Sequence, residues 1–169
     1  MKNIEGKVWK FGDGIDTDII IPARYLVLPL EEMKEKAMEP LRPAFPTDFK
    51  RGGVIVAGRN FGCGSSREQA PAVLKALGVT AIIAASFARI FYRNAINLGV
   101  PVVECPGLPG QVSEGDTVQI ELSTGRIRLV AVQKLLGVGG PWSVWRVVTV
   151  VITDRWCSST GVGCHGSAR

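Results

Sequence analysis

Three short apolar runs, separated by two helix-like segments, constrain the fold of this chain most. The runs are "GGVIVAG", "VTAIIAAS" and "VPVVEC", and the segments between them are "SREQAPAVLKALG" and "FARIFYRNAINLG". Near-continuous apolar sequences are typical of strands buried on both faces, and a glycine at the end of a helical segment is a common stop. The order strand, helix, strand, helix, strand predicts an α/β fold with a parallel βαβαβ core.

The flanking segments add further elements to this core. "KVWKFG" alternates as a strand does, "PLEEMKEKAMEPL" at 29–41 has the spacing of a short amphipathic helix, and "SEGDTVQIELSTGRIRL" predicts a hairpin that turns at "STGR". The chain has 169 residues, a natural length for one domain with one sizeable core.

Composition excludes several classes of protein. No apolar run approaches the roughly 18 residues of a membrane span, and the N-terminus lacks the apolar core of a secretory signal, so we expect a cytoplasmic protein without a membrane partner. The four cysteines form no C-x-x-C pair, so we expect no metal or cluster held by this chain alone. Residues 1–129 carry 16 basic against 14 acidic residues, with no basic stripe of interleaved aromatics, which argues against nucleic-acid binding.

The junction between the first core strand and its helix, "GRNFGCGSSREQAP" at 58–71, is the candidate site. Ser65 and Glu68 fit an S-x-x-E capping box, and Ser66 and Gln69 fit S-x-x-Q. The free N–H groups and the dipole at a helix start there favour a bound anion.

Three further residues of this turn point to the same ligand. Gly62 and Gly64 let a ligand approach the backbone closely, and Arg67 can hold a carboxylate through two parallel hydrogen bonds. We therefore predict a site for a small carboxylic acid. The alternative is that Ser66 only caps the helix and Arg67 only pairs with a neighbouring acid.

Other phosphate and hydrolase motifs do not fit this turn. A Walker loop needs a lysine before its Ser or Thr, and a dinucleotide-binding loop needs a glycine where Arg67 stands. The G-x-S-x-G elbow is absent, and the only histidine, His165, lies near the C-terminus. A conventional serine hydrolase is therefore not expected.

"GRNFGCGSSREQAP", followed by "AIIAASFARIFYRNAINLGVPVVE", resembles the small subunits of the isopropylmalate isomerase and homoaconitase branch of the aconitase superfamily. "VWKFGDGIDTDIIIPARYL" is similar to the opening segment of that family. The resemblance extends from about residue 5 to about residue 128 and implies a layered β/β/α swivelling domain.

The resemblance implies roles for individual residues. Ser65 corresponds to the catalytic base, and Ser66 and Arg67 correspond to residues that bind the substrate carboxylate. Thr17 and Asp18 match a motif near the active site and are assigned a supporting role. The resemblance implies the same supporting role for Tyr25, Gly62 and Gly64. A plain Asx-type turn is the alternative for the "DTD" segment.

The implied reaction is the dehydration and rehydration that interconverts 2- and 3-isopropylmalate in leucine biosynthesis, a hydro-lyase activity. The implied cofactor, a [4Fe–4S] cluster that acts as a Lewis acid on the leaving hydroxyl, belongs to a large subunit. The chain is therefore expected to act only with that partner, and to form a homo-oligomer when isolated. The competing class is a non-catalytic carboxylate-binding module.

Substrate choice is assigned to "YLVLP" at 25–29, which in related subunits contacts the variable group of the substrate. Val27 and Leu28 are apolar and suit an isopropyl group, whereas an arginine there would suit the third carboxylate of homoaconitate. Arg24 complicates this assignment. Homoaconitate and citramalate remain the alternative substrates.

The roles of three residues, Arg89, Arg93 and Cys63, remain open. Arg89 and Arg93 lie four apart on one helix face and point either to the site or large subunit, or to acidic neighbours. Cys63 is interpreted as a packing residue.

Residues 130–169 differ in character from 1–129 and lack the C-terminal helix that the resemblance implies. A shifted reading frame and divergence are the two explanations.

Overall fold

The structure, a computed structural model, describes residues 3–49, 51–121, 126–134 and 145–152, with the backbone alone for 131–134 and 145–152. Strands in this part of the chain are β1 (Asn3–Lys10), β2 (Val54–Ala57), β3 (Ala81–Ala84), β4 (Val102–Glu104), β5 (Thr117–Glu121), β6 (Arg126–Lys134) and β7 (Trp145–Ile152). The helices are α1 (Thr17–Ile20), α2 (Leu30–Met33), α3 (Phe45–Asp48), α4 (Gln69–Leu77) and α5 (Arg89–Asn97). Three 3₁₀ turns cover Ala23–Tyr25, Lys34–Lys36 and Leu108–Gly110.

The described strands form one mixed sheet in the order β4-β3-β2-β1-β5-β6-β7. Neighbours from β4 to β1 are parallel, whereas β1, β5, β6 and β7 pair antiparallel. The predicted parallel core and the hairpin of β5 and β6 are therefore confirmed. The "STGR" turn itself lies outside the described residues.

Two apolar clusters cover the two faces of the parallel strands. Alternate side chains of β2 belong to different clusters: Ile55 and Ala57 pack with the helices, whereas Val54 and Val56 pack with residues of β1, β5 and β6. A parallel strand buried on both faces needs such cover, which explains the continuous apolar runs in the sequence. The arrangement is the layered β/β/α fold that the resemblance implies.

The two core helices end where the sequence predicts. Gly78 terminates α4 in the left-handed region at φ 100°, and Gly99 follows α5 at φ 73°. Both conformations favour glycine, because a Cβ is strained at positive φ.

The predicted helix over 29–41 is wrong in extent. It is one α-helical turn, α2, followed by the 3₁₀ turn Lys34–Lys36, and it stops at Ala37. Met38 then adopts φ 59° with its side chain fully buried, and its N–H donates to the Ile20 carbonyl at 2.9 Å. Burial of Met38 against the core therefore overrides the local helical pattern.

β6 crosses residue 130, where the sequence changes character, and β7 lies within the last 40 residues. The remaining residues of that segment fall outside the described ranges, so its division from 1–129 stays a prediction. No helix in the described part of the chain is long and apolar enough to span a membrane.

Candidate active site

The candidate site lies at the carboxyl ends of β1, β2 and β3, where the parallel register brings three connecting segments to one edge of the sheet. Residues 11–18 follow β1, residues 58–67 follow β2, and residues 85–88 follow β3. Ligands of open α/β sheets bind in the crevice outside the carboxyl ends of the strands. The topology thus gathers "DTD" and "GSSR" at one place.

Backbone hydrogen bonds hold the first two segments side by side. Gly58 and Gly62 donate to the carbonyls of Gly12 and Ile15, at 3.0 and 2.7 Å. In the other direction, Gly14 and Thr17 donate to the carbonyls of Arg59 and Cys63, both at 2.8 Å. The glycine-rich turn is therefore a continuation of the pairing between β1 and β2 and not an isolated loop.

Gly62 and Gly64 fulfil the predicted need for glycine in two different ways. Gly62 has φ 77°, and a Cβ built there would lie 2.1 Å from Cγ of Phe91, which is 2% exposed and packs edge-on against Phe61. Gly64 has φ 91° and room for a Cβ, whose nearest neighbour would be the Thr17 hydroxyl at 3.4 Å. Gly62 is thus required by packing and conformation, and Gly64 by conformation alone.

Ser65 and Ser66 are both exposed, and within the described ranges no group hydrogen-bonds to either hydroxyl. The Ser65 carbonyl, in contrast, accepts from the Thr17 hydroxyl at 3.2 Å and from the Arg67 N–H at 2.8 Å. The backbone of Ser65 is therefore fixed while its hydroxyl faces solvent.

The predicted capping boxes are wrong. Helix α4 begins at Gln69, its N-cap is Glu68, and no side chain caps it. The dipole of a helix acts mainly on groups at its first turn, and the first turn of α4 lies beyond Ser65. The helix dipole therefore does not act on the Ser65 hydroxyl in the way that the capping pattern implied. The backbone N–H groups of Ser65, Ser66 and Glu68 have no acceptor among the described residues. These amides and Arg67 therefore remain as the groups that can stabilise an anion at the turn.

Arg67 pairs with Asp18 and not with Glu68. Its Nη1 and Nη2 atoms donate to Asp18 Oδ1 and Oδ2 at 2.6 and 3.3 Å, and Nη1 also lies 3.4 Å from the Ile21 carbonyl oxygen. The hydrogen bond from Arg67 lowers the pKa of Asp18 below its ordinary value, against a smaller opposing effect of burial. Asp18 thus stays ionised and orients the guanidinium.

The pair leaves part of Arg67 available to a ligand. Asp18 and Ile21 engage three of the five guanidinium N–H groups, which leaves the Nε–H and one Nη2–H. These two N–H groups are parallel neighbours on the planar group, an arrangement that matches a second carboxylate. The Arg67 side chain is 17% exposed, so it is largely buried but still reached by solvent.

Thr17 and Asp16 brace the segment that carries Asp18. Thr17 is 1% exposed and bonds to the Ser65 carbonyl, and Asp16 caps α1 by accepting from the Ile19 N–H at 2.7 Å. Asp16 is therefore the N-cap of α1, whereas Asp18 pairs with Arg67, so a plain Asx-type turn does not account for "DTD".

Sequence reasoning missed three residues that support the turn: Asp13, Asp16 and Ser86. The Asp13 carboxylate accepts from the Arg59 N–H at 2.7 Å, and the Ser86 hydroxyl accepts from the Asn60 N–H at 2.9 Å. Their positions directly after β1 and β3, together with the parallel topology, were the available signal.

The segment "YLVLP" at 25–29 begins at the last residue of the 3₁₀ turn Ala23–Tyr25, and this turn contacts the site. The Ala23 N–H donates to Asp18 Oδ1 at 3.2 Å, and Tyr25 donates its hydroxyl to Glu39 at 2.7 Å. Val27 is 87% exposed, whereas Leu28 is half-buried against the apolar core. No hydrogen bond or ion pair in the described structure joins Val27 or Leu28 to the serine turn.

Arg89 and Arg93 lie on the exposed face of α5 and form no ion pair with a described residue. Cys63 is half-buried, and its thiol is free in the described structure. Within the described ranges, no three His, Cys, Asp or Glu side chains lie close enough to hold a metal ion. The described residues therefore do not fit an iron–sulfur cluster as ligands.

Comparison with known proteins gives the class and then the family. Residues 32–106 match the model of the aconitase C-terminal domain. The 3-isopropylmalate dehydratase small subunit of Thermodesulfovibrio yellowstonii is 55% identical over 125 residues, 73% of this chain and 74% of that protein. The methanogen homoaconitase small subunit of Methanothermobacter thermautotrophicus is 57% identical over 126 residues, 74% of this chain and 72% of that protein.

A solved structure agrees with these relatives. The crystal structure of 3-isopropylmalate dehydratase from Methanocaldococcus jannaschii superposes with a TM-score of 0.71 at 47% identity and covers 75% of each chain. This chain therefore belongs to the family of small subunits of 3-isopropylmalate dehydratase and homoaconitase, within the aconitase superfamily.

Proposed function

We propose that this chain, with a large subunit, interconverts 2-isopropylmalate and 3-isopropylmalate by dehydration and rehydration. The observation that carries the proposal is the turn of Ser65, Ser66 and Arg67, held against Asp18 in a chain of this family. A large subunit is part of the proposal because the relatives at 55% and 57% identity are small subunits. A [4Fe–4S] cluster held by that subunit would supply a Lewis acid for the departing hydroxyl.

Arg67 binds one substrate carboxylate through its free Nε–H and Nη2–H, and the Ser66 hydroxyl and N–H complete the contact. Asp18 fixes the orientation of the guanidinium, so little side-chain entropy is lost when the substrate binds. Ionic hydrogen bonds of this kind are short and directional, and they place the neighbouring carbon of the substrate over the turn.

Ser65 removes the proton from that carbon. A serine hydroxyl is a weak acid, so its alkoxide needs stabilisation by nearby N–H groups and a cation. The unpaired amides of the turn and the guanidinium of Arg67 provide both. The fixed backbone of Ser65, bonded to Thr17, keeps its hydroxyl in reach of a bound substrate.

The choice of isopropylmalate rests on the 25–29 segment. Val27 and Leu28 are apolar, and the cation near them in sequence, Arg24, already has an acidic partner in Glu39 at 2.9 Å, although that pair is exposed. An additional carboxylate against apolar residues would lose hydration without gaining a partner. The similarity to a homoaconitase small subunit supports homoaconitate as the second candidate.

An anaerobic assay of the full chain with its large subunit tests this proposal. Alkene absorbance is followed with 2-isopropylmalate, homocitrate and citramalate as separate substrates. Turnover of 2-isopropylmalate with the highest kcat/KM is expected. A higher kcat/KM for homocitrate would overturn the substrate assignment. Carboxylate binding without any turnover by the complex would favour a non-catalytic module.

A further inference from the structure

Glu39 lies outside the serine turn but contacts the segment assigned to substrate choice. Its Oε2 accepts from the Tyr25 hydroxyl at 2.7 Å and from Arg24 Nη2 at 2.9 Å. The Arg24 guanidinium in turn lies over the Tyr25 ring, 4.6 Å from its centroid. The hydrogen bond from Tyr25, followed by the one from Arg24, lowers the pKa of Glu39, so the acceptor is a carboxylate.

The two contacts of Glu39 differ in how much each contributes to stability. The Arg24 side chain is 65% exposed, and exposed ion pairs contribute little because solvent screens them. The Tyr25 hydroxyl is part-buried, and its hydrogen bond to an ionised acceptor is of the stronger kind. Tyr25 is therefore the main residue through which Glu39 acts.

The backbone of Glu39 is itself held rigidly. The preceding residue, Met38, is fully buried in the left-handed conformation, and its N–H bonds to the Ile20 carbonyl of α1. The Arg42 N–H closes the turn by donating to the Met38 carbonyl at 2.8 Å. These bonds hold the backbone at Glu39 in a defined position relative to α1, the helix that carries Asp18.

The 3₁₀ turn Ala23–Tyr25 is tied at both ends. Its first residue, Ala23, donates to Asp18, which holds Arg67, and its last residue, Tyr25, donates to Glu39. The N–H of Leu28 donates to the Tyr25 carbonyl at 3.0 Å, so the position of Tyr25 determines that of the apolar tip, Val27 and Leu28.

From these contacts we propose that Glu39 is a positioning residue for substrate selectivity. By fixing Tyr25, it sets the separation between the Arg67 carboxylate site and the apolar tip at Val27 and Leu28. A loop held at both ends favours one size of apolar group, whereas a loop released at Tyr25 accepts several sizes. The inference rests on the proposed function for its substrate and on the described contacts for its mechanism.

Hydrogen exchange of the full chain tests the positioning directly and needs no activity. Glu39→Ala should accelerate exchange of the Leu26 and Leu28 amides by roughly tenfold, because their 3₁₀ bonds lose the Tyr25 anchor. Glu35→Ala removes an exposed carboxylate of the same segment that has no partner among the described residues, and it should leave both amides unchanged. Unaltered exchange in the Glu39 variant would overturn the proposal.

Selectivity of the reconstituted complex gives the second readout. The measured quantity is the ratio of kcat/KM for 2-isopropylmalate to kcat/KM for citramalate, which carries a methyl in place of the isopropyl group. Glu39→Ala and Tyr25→Phe should each lower the ratio by roughly tenfold, a normal range for one or two methyl groups in an apolar site. Tyr92→Phe, the same change at the only other tyrosine, should not alter it.

The outcomes separate this inference from the proposed function. Equal losses with both substrates, or a lower melting temperature at an unchanged ratio, would overturn selectivity as the role of Glu39. A wild-type complex that turns over neither malate would contradict the proposed function. Faster Leu26 and Leu28 exchange in Glu39→Ala would then still support the positioning of the loop.

Discussion

The substitution Gly62→Ala tests whether packing beneath the turn requires a glycine. A methyl group at residue 62 would lie 2.1 Å from Cγ, 2.4 Å from Cβ and 2.5 Å from Cδ2 of Phe91. Phe91 is buried and contacts both Phe61 and Phe87, so it cannot move aside without disturbing both rings. The alanine also has to adopt φ 77°.

The two costs have separate magnitudes. A left-handed conformation costs a non-glycine residue about 1–2 kcal/mol. Overpacking of a well-filled core costs about 1–3 kcal/mol. Gly62→Ala is therefore expected to lower the free energy of unfolding by about 2–5 kcal/mol, a large part of the roughly 5–15 kcal/mol available to a typical domain.

Urea unfolding of the full chain measures this loss, and Gly115→Ala is the matched control. Gly115 has φ 84° and open space around its built Cβ, so its substitution should cost only the conformational part. The difference between the two variants isolates the contact with Phe91. Equal losses, within about 0.5 kcal/mol, would refute the packing argument for Gly62.

Three other predictions concern the turn and its partners. Arg67→Lys cannot reproduce the paired N–H groups, so KM for isopropylmalate should rise at least roughly tenfold in steady-state assays, with a smaller effect on kcat. Thr17→Val removes the bond to the Ser65 carbonyl at similar volume, so urea unfolding should show a loss of about 1 kcal/mol together with a lower kcat. Asp18 has a lowered pKa in the fold, so its contribution to stability is complete above the ordinary carboxyl pKa of about 4 and is lost as pH falls through the lowered value. In a pH series of urea unfolding, the difference between wild type and Asp18→Asn should be constant from pH 7 to about 5 and shrink below about 4; a difference that grows on acidification would contradict the sign.

The features predictable from sequence were those with a local or periodic signature. The buried strands are continuous apolar runs because both faces are covered, and Gly78 and Gly99 end their helices at positive φ. The gathering of Thr17, Asp18 and the serine turn followed from the resemblance, and the parallel register accounts for it physically.

The features that sequence did not predict depend on contacts between distant residues. Ser65 and Ser66 fit a capping pattern, yet α4 begins only at Gln69, because Thr17 holds the Ser65 carbonyl and Asp18 holds Arg67, 49 positions away. The helix over 29–41 breaks because Met38 is buried and bonds to Ile20. In both places tertiary hydrogen bonds and burial outweigh local propensity.

The most direct measurement is a comparison of Ser65→Ala with Ser66→Ala in the reconstituted complex under anaerobic conditions. If Ser65 is the base, its substitution should lower kcat for 2-isopropylmalate by roughly a hundredfold or more at nearly unchanged KM, whereas Ser66→Ala should mainly raise KM. Hydrogen exchange over 58–70 checks that the turn keeps its fold in both variants. A Ser65→Ala complex that retains kcat within about twofold of wild type, a change of about 0.4 kcal/mol in the barrier, would contradict the role of Ser65 as the catalytic base.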